Sequence, residues 1–269
     1  MWSSPVLEND YRTPEKGRRS PVSFFPSLCF YPGMIGVVLR AAGAAKRGLY
    51  TDGRWVDDSR KIISILESAG GRVDIENVDV LKQVSVPCIL VGNHMSTLET
   101  FALPSVIHPF FRITFVVKRS LVEYPVFKHV MRAVDPVIVD RENPRKDFKT
   151  VMEEGEKRIQ KGVSLVVFPQ STRSTRFDPA HFNSMGVKLA KRTKVPVVPV
   201  ALKTDAWANG KLLKDFGRIH PERTVHISFG PPMTVAGSGK AEHAAIIEYI
   251  QDKLGTWAGE KAEVSDRSV

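Results

Sequence analysis

Short runs of branched apolar residues alternate with amphipathic segments along much of the chain, and this alternation restricts it to few folds. The run 86–91 is rich in Val and Ile and ends at Gly92 and Asn93, which predicts a strand buried on both faces. Three strand–helix pairs follow it: 113–117 with 121–133, 137–139 with 147–161, and 164–168 with 181–192. The sequence therefore predicts an α/β fold with a mostly parallel or mixed sheet flanked by helices.

The flanking segments fit the same single domain. A helix is predicted over 55–69, and strands over 73–78, 195–202 and 225–229. The apolar positions Ile246, Ile250, Leu254 and Trp257 predict a last amphipathic helix. A length of 269 residues suits one such domain with an appendage at each end. We expect the domain to span 51–258 and a flexible polar tail to follow over 259–269.

The net charge of +10 favours a polyanionic partner, either nucleic acid, an anionic lipid surface or a phosphorylated substrate. Charge alone is equally compatible with a basic protein that has no such partner. Nucleic acid is disfavoured because Lys and Arg do not interleave with aromatic residues on any predicted element. The two cysteines, Cys29 and Cys88, lack metal-ligand spacing, so no zinc site or disulfide framework is predicted and a reducing cytoplasm fits.

The N-terminal segment 1–50 combines cations with apolar residues. An uncharged stretch over 20–39 contains several aromatic side chains and is flanked on both sides by Lys and Arg. Its prolines, Pro21, Pro26 and Pro32, disfavour a membrane-spanning helix. We expect this segment to lie in the headgroup region of an anionic membrane. The alternative is that it packs on the domain as part of the core.

A histidine and a carboxylate follow the buried strand at 86–91. Side chains five residues apart on a regular helix point in different directions. His94 can therefore contact Glu99 only if His94 precedes the helix, with Ser96 or Thr97 as N-cap. The carboxylate then fixes the imidazole tautomer and leaves the second nitrogen to accept a proton from an alcohol. The alternative is a surface histidine, with Glu99 merely complementing the helix dipole.

Cations follow three other predicted strands, at Lys118, Arg141 and Arg173. Strand ends are where open α/β sheets build their sites, and three cations at one edge would form a phosphate site. Nearby hydroxyls that would add hydrogen bonds belong to Ser171, Thr172 and Ser174. Taken singly, each cation is equally compatible with a solvated surface residue.

Four sequence blocks, in order, resemble the glycerolipid acyltransferases typified by 1-acyl-glycerol-3-phosphate acyltransferase. The blocks are Asn93-His94-x4-Glu99, Ile138-Val139-Asp140-Arg141, Phe168-Pro169-Gln170-Ser171-Thr172-Arg173-Ser174 and Val195-Pro196-Val197-Val198-Pro199-Val200. The first resembles the family's His-x4-Asp motif and the third its Phe-Pro-Glu-Gly-Thr-Arg-Ser motif. The second and fourth resemble the family's second and fourth blocks. A lone match to the first would be weak evidence, but four in order are specific.

The resemblance implies that His94, with Glu99, deprotonates the free hydroxyl of a lysophosphatidate-like acceptor, which attacks acyl-CoA or acyl-carrier protein to give phosphatidate. It also implies that Arg141, Arg173 and Lys118 hold the acceptor phosphate. These co-substrates and membrane lipids are the expected partners; no cofactor and no metal are expected. The expected location is the cytoplasmic face of the inner cell membrane, as a monotopic or peripheral protein.

Two departures from the family pattern bear on the acceptor. Glu99 replaces Asp, which adds a methylene to the carboxylate side chain, and Gln170-Ser171 replaces Glu-Gly. With Asn93, Gln170 is expected at the rim of the acceptor site, which loses a negative charge. The alternatives are therefore an acyltransferase for another lysolipid or an amino-acid-based lipid, or a non-catalytic protein that binds anionic membranes. A serine hydrolase is disfavoured because the chain has no Gly-x-Ser-x-Gly motif.

Overall fold

The computed structural model describes residues 8–14, 25–170, 172–210 and 213–266. Strands within these ranges form one sheet in the order β1-β2-β8-β7-β3-β6-β4-β5. The strands are β1 Tyr11–Arg12, β2 Arg72–Glu76, β3 Ile89–Gly92, β4 Ile113–Lys118, β5 Val137–Val139, β6 Ser164–Val167, β7 Val197–Lys203 and β8 Thr224–Phe229.

Helices occupy most of the connections between these strands. They are α1 Pro26–Lys46, α2 Asp52–Ser68, α3 Val80–Gln83, α4 Leu98–Ile107, α5 Arg119–Glu123, α6 Phe127–Ala133, α7 Pro144–Gln160, α8 Met185–Thr193 and α9 Lys240–Asp266, with a 3₁₀ turn at Pro179–His181. The predicted alternation of strands and helices is confirmed.

The five central strands, β3 to β7, run parallel to one another. Their carboxyl ends therefore meet at one edge of the sheet, and this edge positions the candidate site. Strand β8 pairs antiparallel with β7 and parallel with β2, and β1 pairs antiparallel with β2. The sheet is mixed, as the sequence predicts.

Both faces of the sheet are covered, because alternate residues of the central strands enter different cores. Leu90 of β3 packs into the core that includes α1, α2 and α4, whereas Ile89 and Val91 pack into the core that includes α7, α8 and α9. A strand that is apolar on both faces is buried, as the unbroken apolar run of β3 predicts.

The single helix predicted over 121–133 is wrong, because the structure has two helices there. Helix α5 ends at Glu123, and Val126 adopts a left-handed φ of 69° before α6 begins. Pro125 explains the break, since the residue before a proline is disfavoured in the helical conformation.

The prolines that disfavour a membrane-spanning helix do not interrupt the N-terminal helix itself. Helix α1 runs unbroken through 21 residues, with Pro26 in its first turn and Pro32 inside it. A proline in the first turn removes no helical hydrogen bond. Pro32 removes one, and the packing of Phe30, Met34 and Val37 into the core stabilises the helix against this loss. Pro21 lies outside the described residues.

Helix α1 has one face on the domain and another in solvent. The alternative that the segment packs as core is therefore correct for one face. By length and composition the helix is able to cross a membrane, and a third of its apolar window is buried against the domain. Exposed apolar side chains on the other face are Phe25, Leu28, Ile35 and Leu39.

At the other end of the chain, α9 continues to Asp266 and so enters the stretch over which a flexible tail is predicted. Residues 258–266 include Ala, Glu and Lys, which have high helix propensity, so the loss of apolar residues at 259 does not end the helix. Residues 267–269 lie outside the described part.

Candidate active site

The residues singled out by the sequence lie where the parallel strands end. His94 follows β3, Lys118 ends β4, Arg141 follows β5, and Arg173 lies in the segment after β6. The pairing of Val91 with Val167 and of Lys118 with Val139 keeps these strand ends level. One sheet edge therefore carries the predicted base and the predicted cations.

His94 and Glu99 are in direct contact. The Nδ1–H of His94 donates to Oε2 of Glu99 at 2.7 Å. His94 lies in the turn before α4, as the sequence predicts, with Thr97 as N-cap, and the Ser96 hydroxyl accepts from the Leu98 N–H at 3.1 Å. The imidazole retains 14% of its surface, whereas the carboxylate is fully buried.

Glu99 accepts three further hydrogen bonds, all at Oε1. The donors are the backbone N–H groups of Met95, at 2.7 Å, and Ser96, at 2.9 Å, and the hydroxyl of Thr204, at 2.6 Å. Every donor points toward the carboxylate, so Glu99 is held as an acceptor and the proton of the pair is on Nδ1. The Nε2 atom of His94 makes no hydrogen bond within the described part of the chain.

The contribution of Thr204 was not predicted. It follows β7, which pairs with β3, and it reaches Glu99 across 105 residues of sequence. Its hydroxyl also accepts from Ser96 Oγ at 3.0 Å, so a chain of hydroxyls ends on the carboxylate. The sequence indicates this role of Thr204 only by a polar residue at the end of a predicted strand. Its contact with Glu99 could be predicted only if the order of the strands were known.

Contacts from the segment after β6 fix the backbone and ring of His94. The N–H of His94 donates to Oε1 of Gln170 at 2.7 Å, and its carbonyl accepts from the N–H of Ser174 at 2.9 Å. The Phe168 ring stacks on the imidazole with centroids 4.6 Å apart and an angle of 5°. The first and third sequence blocks thus meet at His94.

Asn93 is not at the acceptor-site rim, which corrects the prediction. Its side chain is buried and makes two hydrogen bonds to the backbone of Leu202, at 2.7 and 2.9 Å, which tie the end of β3 to β7. Gln170 does line the cavity described below, but its amide oxygen is engaged by His94. Both residues therefore orient the turn that carries His94.

The predicted base and the predicted cations line one cavity of about 1190 Å³. Its polar wall includes His94, Lys118, Arg141 and Arg173. Apolar side chains from α1, α4 and the α5–α6 region line another part of it, among them Met34, Ile35, Leu39, Phe101, Tyr124 and Phe127. The site therefore joins a charged surface to an apolar one.

Arg141 is held at the cavity by the start of α7. Its φ is 61°, a left-handed conformation that costs roughly 1–2 kcal/mol for a residue other than Gly. The Asp147 carboxylate stabilises this turn by accepting from the N–H groups of Asp140, at 3.1 Å, and Arg141, at 2.9 Å. Burial lowers the pKa of Arg141, the Asp147 carboxylate raises it, and the neighbouring charge of Arg173 lowers it. An anion between the two guanidinium groups would stabilise both charges.

The three predicted hydroxyls have different surroundings. Thr172 is exposed and lines the cavity. Ser174 is not among the residues of the cavity wall, and its hydroxyl donates to the Arg176 carbonyl at 2.8 Å and accepts from the Arg176 N–H at 3.1 Å. The prediction that it binds phosphate is corrected accordingly. Ser171 lies outside the described residues.

A separate buried cluster has the residue types of a metal site. Ligand atoms of Asp74, Glu76 and His226 lie within 4.8 Å of one another on β2 and β8. Asp74 forms a 2.6 Å ion pair with Arg12, and Glu76 forms one of the same length with Lys253. Cations therefore already neutralise both carboxylates, and we interpret the cluster as an internal ion network.

A family model described as Acyltransferase matches residues 72–203. The match begins at β2 and ends with β7, so it contains His94, Glu99 and the three cations. The fold and the matched region together define the class: the protein is an acyltransferase.

Relatives narrow this class. A 1-acyl-sn-glycerol-3-phosphate acyltransferase of Pseudomonas aeruginosa is 28% identical over 199 residues, which cover 73% of this chain and 72% of the relative. A probable enzyme of the same name from Mycoplasma genitalium is 31% identical over 139 residues, covering 49% of this chain and 50% of the relative. The crystal structure of PlsC, the 1-acyl-sn-glycerophosphate acyltransferase of Thermotoga maritima, has the same fold, with a TM-score of 0.63, 19% identity, and coverage of 86% of this chain and 94% of that one. The chain belongs to the 1-acyl-glycerol-3-phosphate acyltransferase-like family of glycerolipid acyltransferases, which act in phospholipid synthesis.

Proposed function

We propose that this acyltransferase moves a fatty acyl group from acyl-CoA or acyl-carrier protein to the free hydroxyl of a lysophosphatidate-like acceptor, giving phosphatidate. The observation that carries the proposal is that His94, which is paired with Glu99, lies in the wall of the same cavity as Arg141 and Arg173. A base and an anion site in one cavity suit an acceptor that carries both a hydroxyl and a phosphate.

The proposed reaction needs no covalent enzyme intermediate. Nε2 of His94 takes the hydroxyl proton as the acceptor oxygen attacks the thioester carbonyl carbon. Collapse of the tetrahedral intermediate breaks the carbon–sulfur bond, and the imidazolium returns its proton to the leaving thiolate. Glu99 stabilises the imidazolium through the 2.7 Å bond at Nδ1. Holding the hydroxyl and thioester together lowers the entropic part of the barrier.

Arg141, Arg173 and Lys118 would bind the acceptor phosphate in this scheme. A guanidinium offers forked donors that match phosphate oxygens, and Lys118 adds a compact charge at the end of β4. Thr172 would contribute a hydroxyl from the same wall. The apolar wall suits the acyl chains of the two substrates and keeps water from the thioester.

We also propose that the protein works at the cytoplasmic face of the inner membrane, with α1 in the interface. The exposed side chains Phe25 and Leu28 are apolar, and Arg40, Lys46 and Arg47 lie near the opposite end of the helix. Cations attract anionic lipids, and apolar side chains enter the acyl boundary. Crossing the bilayer would require α1 to leave the core that it helps to form, so a monotopic position is favoured.

The test is an acyl-transfer screen with purified protein, monitored by mass spectrometry. The acceptors are lysophosphatidate, lysophosphatidylcholine and a lyso amino-acid lipid, each offered with acyl-CoA and with acyl-carrier protein. We expect lysophosphatidate to give the highest kcat/KM. Preferential acylation of the amino-acid lipid would reject the phosphate acceptor and support the alternative substrate class.

A variant tests the phosphate site directly. Arg173→Ala should raise the acceptor KM by about 10- to 100-fold, because a charged hydrogen bond contributes about 1.5–3 kcal/mol. The donor KM should stay near the wild-type value. Arg192→Ala is the matched control, since Arg192 pairs with Glu156 on the surface and is outside the cavity wall. Equal increases in both KM values would contradict the assignment.

A further inference from the structure

A hairpin over residues 206–220 follows the carboxyl end of β7 and contacts the active site. Its two arms are joined by hydrogen bonds between Ala208 N and Arg218 O, at 3.0 Å, and between His220 N and Ala206 O, at 2.7 Å. The described part of the hairpin excludes 211 and 212. The hairpin brings Asn209, Lys214, Asp215 and Phe216 to the wall of the cavity.

Two glycines make the neck of this hairpin tight. A Cβ atom on Gly210 would lie 2.1 Å from the carbonyl oxygen of Leu213, and one on Gly217 would lie 1.8 Å from that of Ala208. Because both neighbours are backbone atoms, neither contact is relieved by a rotamer change. A side chain at either glycine would therefore force the backbone at this neck to shift.

From this hairpin, the Asp215 carboxylate reaches the candidate phosphate site. Its Oδ1 atom pairs with Nη1 of Arg173 at 2.7 Å and accepts from the hydroxyl of Thr97 at 3.0 Å. The same guanidinium nitrogen also contacts Thr97. Within the described residues, the Arg173 guanidinium contacts Asp215 and Thr97, both through Nη1. The Asp215 carboxylate thus forms an ion pair with the arginine that would bind the acceptor phosphate.

We propose that Asp215 sets the enzyme's affinity for its acceptor: its carboxylate is an internal anion that holds Arg173 in the empty cavity, and the acceptor phosphate displaces it. This inference rests on the proposed function, in which Arg141 and Arg173 bind that phosphate. Asp215 is suited to displacement because 43% of its side-chain surface is exposed.

Charge gives the direction of the exchange. Asp215 carries one negative charge and pairs with the guanidinium of Arg173, whereas a phosphate monoester carries up to two charges and would lie between Arg173 and Arg141. The phosphate therefore gains a second guanidinium when it replaces the carboxylate. Breaking the Asp215 pair still opposes binding, so its removal should strengthen acceptor binding.

We expect a modest change in the acceptor KM because exposed ion pairs contribute little binding energy. Asp215→Asn should lower the acceptor KM by up to about fivefold. The donor KM should be unchanged, and the effect on the acceptor KM should exceed that on kcat, since an interaction lost from the free enzyme changes binding of the acceptor. Calorimetric dissociation constants for sn-glycerol 3-phosphate should fall by the same factor.

Asp178→Asn is the matched control. Asp178 also pairs with a basic side chain, His181 at 2.7 Å, but on an exposed turn outside the cavity wall. This variant should keep the wild-type acceptor KM. Melting curves of both variants check folding, and Asn preserves the shape of the side chain.

A double variant separates this inference from the proposed function. With Arg173→Ala already present, Asp215→Asn should have no further effect on the acceptor KM, because its partner is gone. If Arg173→Ala raises the acceptor KM while Asp215→Asn leaves it unchanged or raises it, Asp215 is inert or orients Arg173, and only the displacement is overturned. If Arg173→Ala has no effect on the acceptor KM, the phosphate site itself is wrong and both proposals fall.

Discussion

Replacing Glu99 by Gln changes the direction of one hydrogen bond while preserving the shape of the side chain. In the native site Oε1 accepts from Met95, Ser96 and Thr204, and Oε2 accepts from His94. The Gln oxygen must take the Oε1 position, because three donors point there. The amide nitrogen then faces Nδ1 of His94.

An amide nitrogen donates and does not accept, so Nδ1 must become the acceptor and the imidazole proton must move to Nε2. Nε2 is the atom proposed to take the proton of the acceptor hydroxyl. Loss of a general base lowers a rate by about 10²- to 10⁴-fold, and we expect kcat of Glu99→Gln to fall within this range. Acceptor and donor KM values should change little, since the cavity wall is intact.

The assay is steady-state acyl transfer to lysophosphatidate, with melting curves to check folding. Glu242→Gln is the matched control: Glu242 also accepts a backbone N–H, from Ala236 at 2.9 Å, but it lies in the first turn of α9. It should retain wild-type turnover. If Glu99→Gln keeps more than about one tenth of wild-type kcat, well above the range for loss of a base, the tautomer argument is refuted.

Three further predictions concern other parts of the molecule. Asp147→Asn removes an acceptor from the left-handed turn at Arg141, so the acceptor KM should rise severalfold in the same assay; an unchanged value would show that this turn does not depend on Asp147. Burial and the Lys203 charge lower the pKa of His226 to about 4, below the value of about 6.5 in an unfolded chain, so the folded protein loses stability as the pH falls from about 6.5 to 4. The measurement is the free energy of unfolding in urea at pH 7 and at pH 4.5. Between these pH values His226→Gln should lose up to about 3 kcal/mol less stability than the wild type, and the same pH dependence in wild type and variant would contradict this prediction. Replacing the exposed apolar residues of α1 by Ser should reduce co-sedimentation with anionic vesicles while the melting temperature is kept; undiminished binding would assign the membrane contact to another surface. The residues to replace are Phe25, Leu28, Ile35 and Leu39.

The sheet was predictable because its strands are short, apolar and separated by helix-like segments. Strand β5 begins and ends where the sequence predicts, and the position of His94 before α4 follows from the geometry of its contact with Glu99. The break between α5 and α6 was also readable, since Pro125 predicts that a helix ends before it.

The partners of the site residues were not predictable. Thr204 and Asp215 reach Glu99 and Arg173 from the region after β7, and only the strand order brings them there. The sequence predicts Asn93 at the rim of the acceptor site, but its side chain is directed toward the backbone of Leu202. Sequence proximity to a catalytic residue does not determine which way a side chain points.

Helix α1 shows how packing changes the outcome of a local rule. Proline disfavours a helix interior by about 3 kcal/mol, and Pro32 alone argues against a continuous helix. The apolar residues around it bury a whole face against the domain, which offsets that cost. A rule for an isolated helix could not include this contribution.

The central claim is that His94 removes the proton of an acceptor hydroxyl in a site that binds phosphate. It is tested most directly by the rate of phosphatidate formation by purified His94→Ala, with acceptor binding measured on the same sample by calorimetry. We predict a rate at least about 10²-fold below wild type, with an unchanged dissociation constant for lysophosphatidate. A rate within tenfold of wild type, at equal acceptor binding, would contradict the claim.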